Sequence, residues 1–312
     1  MKIAIDAMGG DFAPQATVEG AVLAAKKFSD AQILLIGKQD EVQALLNGYG
    51  IASNNLQIIH ADEVIEMGEH PTKALQQKQK SSIAVGFYLL QNQKVDAFCG
   101  AGNTGAMMVG ALFSVKAIEG VFRPPIISHV PQLNGKTAVI LDVGANTDCK
   151  PEVLAQFAIL GKIYAENVLQ IASPRVALMN VGEEEGKGNL QVKEAYNLIK
   201  ENKQLNFTGN VEGRDIFFDK ADVIVCDGFV GNVILKMAES FYDIAQKQQI
   251  NDSFLNQLNY EAIGGSPILG LNGNVVIGHG ISSALAIQNM IGIAKKMAES
   301  RVHLKIKNAF HA

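Results

Sequence analysis

The chain is short of several things, and each shortage closes off a class of protein. Cysteine occurs 3 times in 312 residues, as Cys99, Cys149 and Cys226. None forms a CxxC pair and no histidine cluster accompanies them, which excludes the usual zinc arrangements. So sparse and odd a set of thiols fits a reducing cytosol, not a disulfide-stapled domain. There are 8 prolines against 30 glycines, a balance that suits a loop-rich α/β chain and not a disordered one. An excess of charge of one sign is also lacking. A formal net charge of −4 supplies no global attraction to nucleic acid or anionic lipid, so no nucleic-acid partner is expected. No charge-free apolar run reaches the length of about 18 residues that a membrane span needs. The apolar run behind Met1 and Lys2 stops at Gly9-Gly10-Asp11, too soon for a signal-peptide core, and a cytoplasmic location is expected. The chain has neither a GxSxG elbow nor HExxH, and no cysteine has an obvious histidine partner. An enzyme without an evident side-chain nucleophile often lets the substrate supply one, and phosphate is such a substrate.

What the chain does have is one local design, used repeatedly. A short apolar run stops in a Gly/Asn/Asp loop and a helical pattern follows. It occurs at Ile3–Asp11, Val95–Gly105, Val139–Asn146, Val176–Asn189, Val223–Asn232 and Val275–Ser282. In an open parallel sheet such loops lie at the carboxyl ends of the strands, where ligands bind. The helix N-termini there offer free N–H groups and partial positive charge, which suit an anion.

The alternation predicts strands near 2–7, 32–36, 56–60, 95–99, 175–181, 222–226 and 275–277, with helices between them. This is an α/β fold, a mostly parallel sheet flanked by helices in three layers. Runs near 126–130 and 137–142, joined through Asn134-Gly135, predict an antiparallel hairpin arm outside the main sheet. Pro151 opens a helix whose Leu154, Phe157, Gly161, Tyr164 and Val168 share helical spacing. After 226, Ile234, Met237, Ala238, Phe241 and Ile244 mark one face of a long helix. Residues 247–274 read as an irregular surface excursion. One α/β catalytic domain over 1–312 is expected, with two lobes around a central cleft as the alternative.

Several motifs carry two readings. Gly100–Gly105 matches GxGxxG after a strand, yet no acidic residue closes a strand about 20 residues on, as a dinucleotide site requires. Asn103 and Thr104 in that loop suit a small anion instead. Gly182–Gly188 is one residue short of a P-loop, and Gly188 replaces the magnesium-binding hydroxyl. Lys187 there is either a phosphate contact or a solvated lysine beside three glutamates. Gly9, Gly10 and Asp11 form an anion loop or a tight turn, with Asp11 capping the next helix. Asn146 and Asn232 are structural caps when read singly, but their shared place at strand ends favours a site. His279, between Gly278 and Gly280, is an oxyanion donor or acid, or a turn histidine. Arg123 precedes Pro124-Pro125 and is expected to be exposed or docked on a helix.

Taken together, these blocks resemble the acyl-carrier-protein:phosphate acyltransferase family (PlsX) of bacterial phospholipid synthesis. The matching blocks are IAIDAMGGD at 3–11, GNTGA at 102–106, LDVGAN at 141–146, PEVLAQFA at 151–158, NVGEEEGKGN at 180–189, GNVEGRDI at 209–216, CDGFVGNVILK at 226–236 and GGSPILG at 264–270. The resemblance implies a transferase that moves a fatty acyl group from acyl carrier protein to inorganic phosphate, needing no cofactor and no metal. It implies a fold like isocitrate and isopropylmalate dehydrogenases and phosphotransacetylase, a homodimer, and an acyl phosphate product for a membrane glycerol-3-phosphate acyltransferase. On this reading Lys187, Asn232 and His279 are the expected catalytic side chains. Gly9, Gly10, Asp11, Asn103, Thr104, Gly105 and Asn146 are the expected phosphate contacts. The family's lysine-rich excursion is short here, with Phe254, Leu255 and Leu258 left as a small apolar edge for peripheral membrane contact. The rivals are a dehydrogenase acting on a metal-bound hydroxy acid, which needs a carboxylate cluster, and a non-catalytic membrane scaffold, for which six polar loop ends are unnecessary.

Overall fold

A computed structural model describes residues 1–49 and 54–311. The first part of the chain runs β1 (Lys2–Asp6), α1 (Gln15–Lys27), β2 (Gln32–Gly37), α2 (Gln39–Gly48), β3 (Leu56–His60), α3 (Pro71–Gln77), α4 (Ser82–Gln91), β4 (Ala97–Gly100) and α5 (Thr104–Gly110). A π-helical turn, Ala111–Val115, extends α5. There follow β5 (Ile127–Pro131), β6 (Thr137–Leu141), α6 (Pro151–Asn167), β7 (Arg175–Met179), α7 (Leu190–Glu201), β8 (Asn206–Val211), β9 (Val223–Val225) and α8 (Gly228–Lys247). The last elements are α9 (Tyr260–Ile263), β10 (Ser266–Ile268), β11 (Asn274–Ile277), α10 (Ala284–Ser300) and α11 (Val302–Phe310).

The chain divides into two compact units, Met1–Lys116 with Tyr260–His303, and Ala117–Asn259 with Leu304–Ala312. Unit 1 holds a six-stranded sheet ordered β10-β11-β4-β1-β2-β3, antiparallel only at β10. Its inner strands β1, β2, β4 and β11 are near-continuous buried runs, as parallel strands covered on both faces must be. Helices α1 and α10 pack on each other and on the sheet, and α4 packs on β1, β2 and β4. Unit 2 holds a five-stranded sheet ordered β5-β6-β9-β7-β8, antiparallel only at β5. There α6 lies on β6, β7 and β9 and buries Leu154, Phe157 and Tyr164, with Pro151 in its first turn.

The helix starts follow from the sequence. Ser81, Asn103, Asn189, Asp227 and Ser283 each accept a hydrogen bond from the backbone N–H three residues on. Such caps are worth about 1 kcal/mol each. Asp11 is not one of them. Helix α1 starts behind Pro14 with no side-chain cap, because a turn over 11–14 separates Asp11 from its first N–H groups.

Three further expectations need correction. The 126–142 hairpin forms, but it is no arm outside the sheet. Strand β6 pairs with β9 in parallel, so the hairpin is the edge of the unit 2 sheet. The 247–274 stretch is not wholly irregular either. It contains α9 and β10, and Pro267–Leu271 is buried on the edge of unit 1. The apolar edge expected of Phe254, Leu255 and Leu258 is turned inward. Leu258 is buried, and Phe254 stacks edge-on against Phe217 with ring centres 5.5 Å apart.

Candidate active site

Both sheets reverse their strand order at one point. In unit 1 the chain runs outward from β1 to β2 and β3, then returns to β4 on the other side of β1. In unit 2 it runs from β7 to β8, then returns to β9 on the other side of β7. Beyond the carboxyl ends of strands at such a reversal, the flanking loops splay apart and leave a crevice.

In unit 1 the loops after β1, β4 and β11 converge there. A Cβ on Gly9 would lie 2.7 Å from Gly102 Cα and 2.2 Å from Asp6 Oδ2, so only glycine lets these backbones meet. Gly10 has φ +119°, and the next N–H, that of Asp11, donates to Gly280 O at 2.7 Å. The Gly278 N–H donates to Gly100 O at 2.8 Å. Gly9, Gly10, Asp11, Asn103, Thr104, Gly105 and His279 are therefore brought to one place. His279 is exposed, its carbonyl accepts from Ser282 Oγ at 2.6 Å, and its ring lies 5.7 Å from that of Tyr260. Asn103 is buried and its amide is engaged within the protein. Its Oδ1 caps α5 at Ala106 N, and its Nδ2 donates to the carbonyls of Glu66, Met67 and Glu69. Thr104 is exposed in the first turn of α5.

In unit 2 the loops after β6, β7 and β9 carry the other candidates. Asn146 is tied down. Its Nδ2 donates to Asp142 Oδ2 at 3.0 Å and Pro124 O at 3.1 Å, while its carbonyl accepts from Gly228 N at 2.7 Å. Asn232 is an exposed residue of α8 whose Nδ2 donates to Val143 O at 3.2 Å. Lys187 is exposed, with Nζ 3.9 Å from Glu184. The neighbouring glutamates are drawn elsewhere, Glu183 to Lys220 at 3.4 Å and Glu185 to Lys200 at 2.9 Å. That leaves the Lys187 ammonium only loosely matched. Arg123 is exposed and donates to Asp148 O at 3.0 Å.

Sequence reasoning missed two carboxylates. Asp6 follows the apolar run of β1 and Asp142 that of β6, and both are buried. Burial pushes each above the usual carboxylate range. The signal was visible as an acid closing an apolar run just before a glycine loop, twice. The Leu141–Asp142 peptide bond is cis. None of the thiols offers a nucleophile. Burial raises all three, Cys149 to about 12, so the thiolate is scarce at neutral pH.

The fold is one shared with phosphotransacylases. A phosphotransacetylase from Streptococcus pyogenes superposes with TM-score 0.67 over 96% of this chain and 94% of its own, at 21% identity. A 4-hydroxythreonine-4-phosphate dehydrogenase from Klebsiella pneumoniae does so with TM-score 0.56, over 96% and 97%, at 14% identity. At such identities the likeness is one of fold. This confirms the expected α/β class and the expected likeness in fold to phosphotransacetylase.

The chain belongs to the fatty acid synthesis protein family, whose model matches residues 1–305. A phosphate acyltransferase of Dictyoglomus turgidum is 46% identical over 98% of this chain and 96% of its own length. One from Halothermothrix orenii is 44% identical, over 97% and 96%.

Proposed function

We propose that the chain is a phosphate acyltransferase that takes a fatty acyl group from the thioester of acyl carrier protein. The observation that carries this reading is the convergence in unit 1 of three glycine loops at the carboxyl ends of β1, β4 and β11. Backbone so placed binds a small anion without a metal or an acidic ribose clamp. The membership of the family and the phosphate acyltransferases at 42–46% identity support the reaction class.

In the proposed reaction a phosphate oxygen attacks the thioester carbonyl. The carbon–oxygen bond forms, the carbon–sulfur bond breaks, and the thiol leaves with a proton. Phosphate supplies the nucleophile that the buried cysteines do not. Donors aimed at the tetrahedral oxyanion are each worth about 2.7–4 kcal/mol. Either Asn232 or His279 is the candidate for that donation, and His279 is the candidate proton source for the thiol. Lys187 supplies a point charge to phosphate. The acyl phosphate product is an activated donor suited to a membrane glycerol-3-phosphate acyltransferase. No helix among the described residues is long and apolar enough to cross a membrane.

The test is purified protein with palmitoyl-acyl carrier protein and phosphate, without nucleotide, followed by mass spectrometry. Phosphate-dependent appearance of both free thiol and acyl phosphate is expected. Thiol release without acyl phosphate would replace the reading with thioester hydrolysis.

A homodimer is part of the proposal. Phe229, Val233, Met237, Phe241 and Ile244 form a stripe along α8, each 39–63% exposed. Over its 20 residues α8 buries only Gly228, Gly231 and Ala245. So continuous an apolar stripe is what a second copy of the chain would cover. Phe241→Asp is expected to shift the mass seen by light scattering from dimer to monomer. An unchanged mass would exclude this face.

A further inference from the structure

Unit 1 also contains a cavity that the proposed chemistry has not used. It lies between α3, α4 and α5 with its π-helical extension and has a volume of about 310 Å³. Leu75, Ala84, Phe87 and Val109 line it, with Tyr88 and Phe113 at its mouth. No Asp, Glu, Lys, Arg or His lines it, and its polar groups are neutral glutamines and hydroxyls.

Three features show that the groove is built into the fold. Its wall is rigid, since Phe87 is buried and meets Phe98 edge-on at 4.9 Å. Helix α5 comes down onto Phe87 at Gly110, where a Cβ would lie 2.2 Å from the ring. Directly after Gly110 the helix widens into its π turn, closed by Lys116 N–H donating to Ala111 O at 3.0 Å. Such turns are frequent at functional sites. Here the turn leaves Phe113 73% exposed beside the groove. Finally, the groove lies next to one of the glycine loops. Thr72 lines it, and the preceding Pro71 packs on Gly105, where a Cβ would come within 2.4 Å of the proline ring. Val109 lies five residues beyond Thr104, about 7.5 Å along the helix.

We propose that this groove receives the alkyl chain of the acyl donor, with the thioester at the glycine loops and the chain running along α5. The inference rests on the phosphate acyltransferase reading and adds where the chain lies. An uncharged lining suits a hydrocarbon and offers nothing to the acidic surface of a carrier protein or to a nucleotide phosphate. A volume of about 310 Å³ stands at the small end of ligand pockets, which span about 300–1,000 Å³, and suits part of a chain better than a dinucleotide.

The test fills the groove. Ala84→Trp and Ser114→Trp are each expected to weaken binding of an anthroyloxy-stearate probe, read by fluorescence, by at least about tenfold. The same variants are expected to lower kcat/KM at least about tenfold for palmitoyl-acyl carrier protein while butyryl-acyl carrier protein stays within about twofold. Phe113→Ser, at an exposed position, gives a milder loss in the same sense if a tryptophan variant fails to fold. Equal losses for both donors, or no loss for either in folded variants, would overturn the proposal. So would unchanged chain selectivity with a shift in oligomeric mass, which would put a second copy in the groove. If the wild-type protein turns over neither thioester, the acyltransferase reading fails while probe binding still decides the groove.

Discussion

Asp6 at the end of β1 and Asp142 directly after β6 are both buried acids, yet their surroundings differ. Each is a buried acid behind an apolar strand and before a glycine loop. Asp142 accepts at both oxygens, from the N–H groups of Ile126, Ala145 and Asn146 and from the Asn146 amide, at 2.6–3.2 Å. Asp6 accepts from Met8 N at 3.0 Å through Oδ1, while its Oδ2 is buried without a well-aligned hydrogen bond. The Ser82 hydroxyl beside it helps to hold its pKa down but is itself not aligned for one. Asp142 is a hub for loop backbone. Asp6 lies against the Gly9–Gly102 contact with one oxygen unsatisfied, and an unsatisfied buried polar atom in a native structure calls for a functional or strain explanation.

The largest expected effect breaks the better-satisfied member. Asp142→Asn sets an NH₂ group against N–H donors, leaving donors unpaired and costing about 2–4 kcal/mol in urea unfolding. A loss under 1 kcal/mol would mean that the hub is not needed. Next comes a contrast between side-chain and backbone anion binding. Lys187→Ala is expected to raise KM for phosphate about tenfold while stability moves by less than about 0.5 kcal/mol, as for an exposed residue. An unchanged KM in a folded variant would reject its role and leave phosphate to the unit 1 loops.

The smallest effect sharpens the comparison. Asp6→Asn keeps the acceptor for Met8 and loses only the ionisable oxygen. The Asp6 pKa is raised by burial, so the folded state holds its proton more tightly than the unfolded state. Its contribution is greatest below the unfolded value of about 3.9 and is lost as pH rises through the folded value. The asparagine variant should therefore gain stability relative to wild type as pH rises above about 4. A difference that stays flat with pH would show that Asp6 titrates normally. Asp142→Asn should remain the less stable variant throughout that range.

Much of this was legible in the residues. Alternating runs marked most of the strands, and Asn103, Asn189 and Asp227 announced helix starts by chemistry that acts within three residues. The glycine loops at the strand ends were legible as well. Strand β8 was missed because Gly209 and its polar neighbours hide its period, and α3 because seven residues carry too little pattern. What chain order could not decide was which loops meet. Asn103 and Asn146 looked like ligand contacts, but tertiary packing engages both amides within the protein. Met237, Phe241 and Ile244 share one face of α8 by spacing alone, but only the fold decides that this face is left exposed.

The sequence by itself determined the α/β alternation, the helix caps and the family, because propensity, periodicity and capping act over a few residues. Only the tertiary structure decided that β1 and β4 become neighbours, that Gly9 touches Gly102, and that Asp6 and Asp142 are buried. Those outcomes depend on contacts between residues about a hundred positions apart, which no local pattern encodes.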